Sequence, residues 1–418
     1  MKSLKTLLAS LALLIASIGT LSAQNSTLTP YSRFGYGILR DNATSAQQSM
    51  GGVGYAMSSG RQINVMNPAS YARVDSLTFL FDMGIDVTAL WQKEQTADGK
   101  SLSDRSMGGG LNYITMQFPI GKRMGMSIGV LPFSAVGYAF GNSIDNGYTN
   151  RSGSGSINQL YLGLAGRIVG GLNVGVNVSY MFGSTVNDTY AITTAGSTSL
   201  YEDELSVRDY RIQAGIQYTQ KIGRDQWTVG LTYTPQKSLL GNIRTYAYDI
   251  DSDVSSSKPV EAHSKYKTKD LYGMAATYGA GLNYLHNNRL MFEADFTYQP
   301  WSKVKYQGEK GTLADRYKLA LGAQFQPTLR GSYLRRIQYR VGGYFNRDYL
   351  MVRGNNVREY SATLGLGLPV PGFKTVLNLG FGWVHRQAHP TPLIKENYFN
   401  FTLGINFNET WFHKRRID

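Results

Sequence analysis

The sequence predicts an all-β protein, a transmembrane antiparallel β-barrel of about fourteen strands with an N-terminal plug, or hatch, in its lumen. Three observations carry this prediction: an export signal at the start, long runs alternating apolar with small or polar residues, and connections that alternate between tight and long. The composition fits. The 418 residues include 47 Gly and 29 Tyr but no Cys, which excludes a disulfide framework and a cysteine-ligated metal. Beyond the first residues no apolar run reaches the roughly 20 residues that a membrane helix needs.

Residues 1–23 read as a signal peptide: Lys2 and Lys5 precede the apolar stretch Leu7 to Ile18, and Leu21-Ser22-Ala23 forms a small-residue cleavage site before Gln24. Export turns the formal net charge of +14 away from nucleic acid. Residues 24–76 do not alternate and carry Gly35, Gly37, Gly51, Gly52, Gly54 and Gly60. A small, polar segment of this kind fits inside a barrel otherwise wide enough to leak, so it is assigned as the plug.

The barrel is assigned to 77–407, with strands near 77–91, 109–119, 124–140, 156–168, 172–186, 205–221, 227–248, 270–285, 289–304, 315–326, 337–349, 356–368, 375–386 and 397–407. In the last, Phe399, Phe401, Leu403, Ile405 and Phe407 share one face, while Asn400, Thr402, Gly404 and Asn406 share the other. Glycines recur on the inward face, which implies close packing within the lumen. Tight turns at 120–123, 169–171, 223–226 and 286–288 are assigned to the periplasm, and polar loops at 141–155, 187–204 and 249–269 to the outside. Tyr138, Tyr180, Trp227, Tyr233, Tyr284, Tyr298, Trp301 and Trp383 are the expected interfacial girdles. The expected location is the outer membrane of a Gram-negative cell.

The run Met50-Gly51-Gly52-Val53-Gly54-Tyr55-Ala56, followed by Asn67-Pro68-Ala69-Ser70-Tyr71, resembles the hatch of the FadL/TodX family of outer-membrane hydrophobic-substrate transporters. The opening Tyr31-Ser32-Arg33-Phe34-Gly35-Tyr36-Gly37 and the 408–418 tail resemble variants of its Bacteroidetes branch. The resemblance implies a hatch motif of Gly51, Gly52, Gly54, Asn67, Pro68 and Ala69. It also implies passive uptake of hydrophobic, long-chain fatty-acid-like molecules, with hatch movement and lateral exit. In that family an inward kink of the third strand opens the wall sideways, and Pro132 interrupts the third strand here, so the resemblance makes Leu131, Pro132 and Phe133 the candidate lateral opening; otherwise the strand simply ends there above the membrane. The alternative function is a FadL-like barrel kept as a non-transporting subunit of a larger machine, for type IX secretion or outer-membrane protein assembly.

Asp82, Asp86, Arg211, Glu293, Asp295, Lys318 and Arg340 fall on lumen phases. They either tie the plug to the wall or, with Arg211 or Arg340 as the cation, hold a substrate carboxylate. His263, His286, His385, His389 and His413 are scattered, and Pro390 and Pro392 mark the pair at 385 and 389 as loop residues, so no metal is expected. Gly51 to Gly54 lacks the lysine of a phosphate loop, and no Ser-His-acid set emerges, so neither cofactor nor enzyme is expected. Trp411 to Arg416 in the tail is read as an interfacial anchor or a docking peptide. The expected partners are outer-membrane lipids, a hydrophobic small molecule, and envelope proteins reached through Tyr31–Gly37 or the tail, with no nucleic acid and a monomeric barrel.

Overall fold

The computed structural model describes residues 29–95, 101–144, 146–193, 198–250, 258–328 and 331–410. The expected signal at 1–23 and the tail residues 411–418 lie outside them. The wall is a closed antiparallel barrel of 14 strands. They are β1 Thr78–Gln95, β2 Ser101–Pro119, β3 Met124–Ile144, β4 Gly147–Arg167, β5 Leu172–Thr193, β6 Thr198–Ile222 and β7 Asp225–Thr234, then β8 Thr277–His286, β9 Leu290–Gln299, β10 Arg316–Phe325, β11 Gln338–Val352, β12 Asn355–Pro369, β13 Val376–His389 and β14 Ile394–Thr410. β1 closes on β14 from Thr78↔Thr410 to Glu94↔Ile394.

The period-two pattern sets the two faces of the wall. On β4, Leu160, Leu162 and Leu164 point outward and are exposed, while Gln159 and Tyr161 point inward and are buried. An apolar exterior around a polar interior suits a wall bathed in lipid, where every backbone group must be paired within the protein.

Several expectations are corrected. Residues 141–144, 147–155, 187–193 and 198–204 are strand rather than loop: the ladders continue to Ile144↔Gly147 and to Ile192↔Thr198. Above the membrane both faces meet water, so a strand there needs no alternation and leaves none to read. The single strand expected at 227–248 divides. β7 stops at Thr234, before Pro235, which has no donor for the ladder, and the chain resumes as Gly241–Ile250 on the upper part of β6. Lys258–Lys267, inside the expected loop 249–269, pairs back onto that segment. Tyr138 and Trp301 are buried rather than interfacial. Trp301 lies in the 3-10 turn Trp301–Lys303 that follows Pro300, and Tyr138 donates to Asn187 Oδ1 at 2.8 Å. His385 and His389 lie on β13, not in a loop.

The N-terminal segment packs inside the barrel. It begins at the end bearing the long hairpins, where Thr29 meets Glu396, and crosses the lumen to enter β1 at the end bearing the tight turns. Its path is set by glycines on the inward face of the wall. Gly175 faces Pro68, Gly215 faces Asn67, Gly230 faces the Tyr55 carbonyl, Gly322 and Gly342 face Met50, and Gly404 faces Ser45; a Cβ at any of them would come within 2.6 Å of a plug atom. Many oppose one another directly across the ladder, as Gly84↔Gly404, Gly175↔Gly215, Gly230↔Gly281, Gly322↔Gly342 and Gly365↔Gly380. The wall thus yields its own side-chain volume to the main chain of the plug.

Gly230→Ala is expected to overpack this contact at a cost of about 1–3 kcal/mol. Its folded band in an unheated gel should convert to the unfolded band at a lower temperature. Gly382→Ala, whose Cβ would meet nothing closer than 3.6 Å, should show no such fall.

Candidate functional site

Glu293 and Asp295 sit two apart on β9, so both side chains enter the lumen. Asp295 Oδ2 accepts the N–H groups of Gly54 at 2.6 Å and Tyr55 at 2.9 Å. Glu293 Oε1 accepts those of Ala56 and Met57, both at 2.9 Å, and its Oε2 accepts from Asn283 Nδ2 at 2.8 Å. Two wall carboxylates therefore hold four consecutive N–H groups of the plug. Gly51 and Gly52 reach this clamp with φ of +73° and +77°, the left-handed region that glycine enters freely. Asn67 caps the turn Pro68–Arg73, its Oδ1 accepting from the Ala69 N–H at 3.1 Å while Nδ2 donates to the Tyr55 carbonyl at 2.7 Å. Pro68 and Ala69 then rest on Gly175. The six hatch positions share one structure, the turn and clamp that seat the plug.

Tyr31–Gly37 closes the long-hairpin end from within. The Tyr31 hydroxyl donates to the Ile394 carbonyl at 2.6 Å, and that of Tyr36 donates to the Gly273 carbonyl at 2.9 Å. In return the Tyr349 and Tyr306 hydroxyls donate to the carbonyls of Gly37 at 2.5 Å and Gly35 at 2.8 Å. The Tyr36 ring lies 5.8 Å from Trp301 and 5.4 Å from Tyr306. Burial, with Glu396 adding to it, pushes the Tyr31 phenol up to about 12, which keeps it a neutral donor. Tyr31 and Tyr36 are each 1% exposed, so the main anchors of this segment point into the barrel, while Arg33, Phe34 and Gly35 are half-buried.

Beneath this cap lies a cavity of about 180 Å³ whose lining includes Arg40, Asp41, Arg316, Lys318, Glu359 and Arg386. Asp41 of the plug pairs with Arg316 at 3.1 Å and Lys318 at 2.6 Å, both on β10. Glu359 pairs with Arg386 at 2.5 Å and accepts from Asn346 at 3.0 Å. Thr29 and Tyr398 both donate to Glu396 at 2.5 Å. Burial pushes the Asp41 carboxyl up, but Lys318 and Arg316 outweigh it and hold the group well below the usual carboxylate range. The link from Asp41 to the wall is thus complete above about pH 4 and weakens only as pH falls further.

Lys318 is the one cation expected from the sequence that joins this network. Arg340 instead binds Gln338, Gln324 at 2.8 Å and Asn378 at 2.7 Å, and Arg211 donates to Thr277 at 3.2 Å and lies over the Phe133 ring at 5.5 Å. Arg340 and Arg211 are not brought together with Glu293 and Asp295 into one binding site. Asp41, Arg316, Glu359, Arg386 and Glu396 were not singled out from the sequence. The two-residue step from Arg316 to Lys318 was a readable signal, since it puts both on one face of β10.

Around Pro132 the wall parts. The β2–β3 ladder runs only from Pro119↔Gly125 to Ile114↔Val130, and the β3–β4 register shifts between Pro132 and Ser134. Beyond that point the edge of β3 carries the plug, through Ile38↔Ala135, Leu39↔Ser134 and the Arg40 N–H on the Phe133 carbonyl at 2.8 Å. Leu131 and Phe133 are buried against the interior.

Solved structures share this architecture. The Pseudomonas putida toluene transporter TodX is similar at 13% identity and a TM-score of 0.64, covering 90% of this chain and 100% of its own. A Pseudomonas aeruginosa FadL homologue is similar at 12% identity and a TM-score of 0.62, covering 88% and 99%. The Ralstonia pickettii toluene transporter TbuX is similar at 14% identity and a TM-score of 0.61, covering 89% and 99%. At these identities the likeness concerns the fold. No curated protein matches. The sequence itself matches the family described as BamG over residues 4–418. The chain belongs to the BamG family.

In this BamG-family barrel, the clamp makes a direct expectation. Asp295→Ala strands two buried N–H groups, each costing about 1–3 kcal/mol. The variant should lose heat resistance in the gel assay and expose the 50–57 segment to protease, and Asp295→Glu should restore part of both.

Proposed function

We propose that this barrel is a non-transporting subunit of the BAM complex, an outer-membrane machine for protein assembly. Membership of the BamG family over nearly the whole chain carries this reading. It also gives the barrel an outer-membrane location, as its FadL-like fold does.

The interior supports the same reading. A hydrophobic channel needs an apolar path and a plug that yields, whereas this plug is held by main-chain packing on glycine, by two carboxylates on four N–H groups and by a ring of tyrosines at one mouth. The cavity beneath that mouth holds paired charges among apolar residues such as Ile38 and Val384, and it is small beside the several hundred Å³ of a typical apolar ligand site. The uptake of hydrophobic molecules rests on the likeness to TodX and TbuX, which at this distance speaks for the fold. In the subunit reading the plug seals the barrel, and the working surfaces lie on its outside.

Purification of the tagged protein from its own membranes in mild detergent, followed by mass spectrometry, tests the proposal. Stoichiometric BAM proteins are expected. A lone barrel carrying fatty-acid-like molecules would overturn the reading in favour of uptake.

A further inference from the structure

We infer that the free edge of β2, residues 101–113, receives an extended strand from a second outer-membrane protein. The inference deepens the subunit reading by naming the surface and the kind of partner, and its test is separable from that reading.

Between β2 and β3 the ladder is short. β2 pairs with β1 from Leu80↔Gln117 to Gln95↔Ser101, but with β3 only over Ile114–Pro119. Among the described residues, no backbone group of another element bonds residues 101–113 from the β3 side. The wall does not zip shut by itself, because the matching edge of β3 is already taken by the plug at residues 133–137.

Depth makes this edge unusual. Gly109 is level with Val87 and hence with Phe401, and Met107 is level with Ala89 and hence with Phe399. Phe399 and Phe401 point outward in the lipid-facing band, so Met107–Leu111 runs through the apolar layer. In an apolar layer each unpaired backbone group costs several kcal/mol. Acyl chains offer no donor or acceptor, so lipid does not meet the need. An extended strand does, since it presents N–H and C=O groups at the same spacing.

The side chains suit such a partner. Met107 and Leu111 are 73% and 60% exposed and stand on either side of Gly108-Gly109-Gly110. The flanking apolar residues match a strand that is itself apolar on its lipid face. Such a strand belongs to another membrane protein rather than to a soluble one.

The absence of native cysteine allows a clean test in cells. Met107→Cys and Leu111→Cys, with Val178→Cys and Leu231→Cys as controls on fully paired lipid-facing strands, are labelled with a benzophenone maleimide and irradiated. The expected result is an adduct with one outer-membrane protein at 107 and 111, lost at 178 and 231. The double variant Met107→Lys/Leu111→Lys, whose charges oppose strand addition, should abolish adducts from a reporter at Arg105→Cys on the same edge while keeping the heat-shifted folded band. Adducts with lipid only, with this chain or a second copy of it, or equally at all positions would overturn the inference. BAM proteins that co-purify without edge adducts would sink the inference and leave the subunit reading standing; edge adducts with no BAM protein present would do the reverse.

Discussion

The structure depends on one contact, the approach of the plug's main chain to the glycines of the wall. A barrel of this size has a lumen too wide to be filled by its own side chains. The solution here is a second layer of backbone, admitted where Gly175, Gly215, Gly230, Gly322, Gly342 and Gly404 supply no Cβ. Glycine weakens a strand on its own. The loss is offset because the plug fills the space and returns hydrogen bonds to the wall, so wall and plug stabilise each other and neither is complete alone.

Polar chemistry then fixes the register of the two layers. The clamps of Glu293 and Asp295 act near the middle of the plug, Asp41 with Arg316 and Lys318 acts above them, and the tyrosines around Tyr36 act at the mouth. Buried ion pairs often add little net stability, because desolvation consumes the attraction. Their effect here is specificity: sliding the plug by one residue would leave several charges and N–H groups unpaired at once. A lumen organised this way suits a sealed body that presents its outer wall, and along that wall β2 keeps a long edge without a ladder.

The sequence was legible where the environment imposes a local rule. Strands in the membrane alternate, so the lipid-facing runs of β5, β13 and β14 could be read directly, and the inward glycines were readable as close packing. Outside the membrane the rule lapses, which is why the hairpins continuing β3 to β6 read as polar loops. Tyr138 and Trp301 misled for a related reason: an aromatic near a strand end marks an interface only if the strand stays in the wall, and bends near Pro132 and Pro300 take both inside. The lumen charges were visible as phases on strands, but not as pairs. Asp41 lies on no strand, and its partners are more than 270 residues away in the chain.

By itself, then, the sequence determined the barrel class, the inward glycine face and the presence of a glycine-rich segment to fill it, because each follows from a period or composition that neighbouring residues impose. Only the tertiary structure decided which carboxylates hold which N–H groups, that Tyr31 and Tyr36 anchor the opening segment inside the mouth, and that β2 keeps a free edge. Those outcomes rest on residues far apart in the chain meeting across a closed lumen, where pairing is set by geometry in three dimensions and leaves no mark in local order.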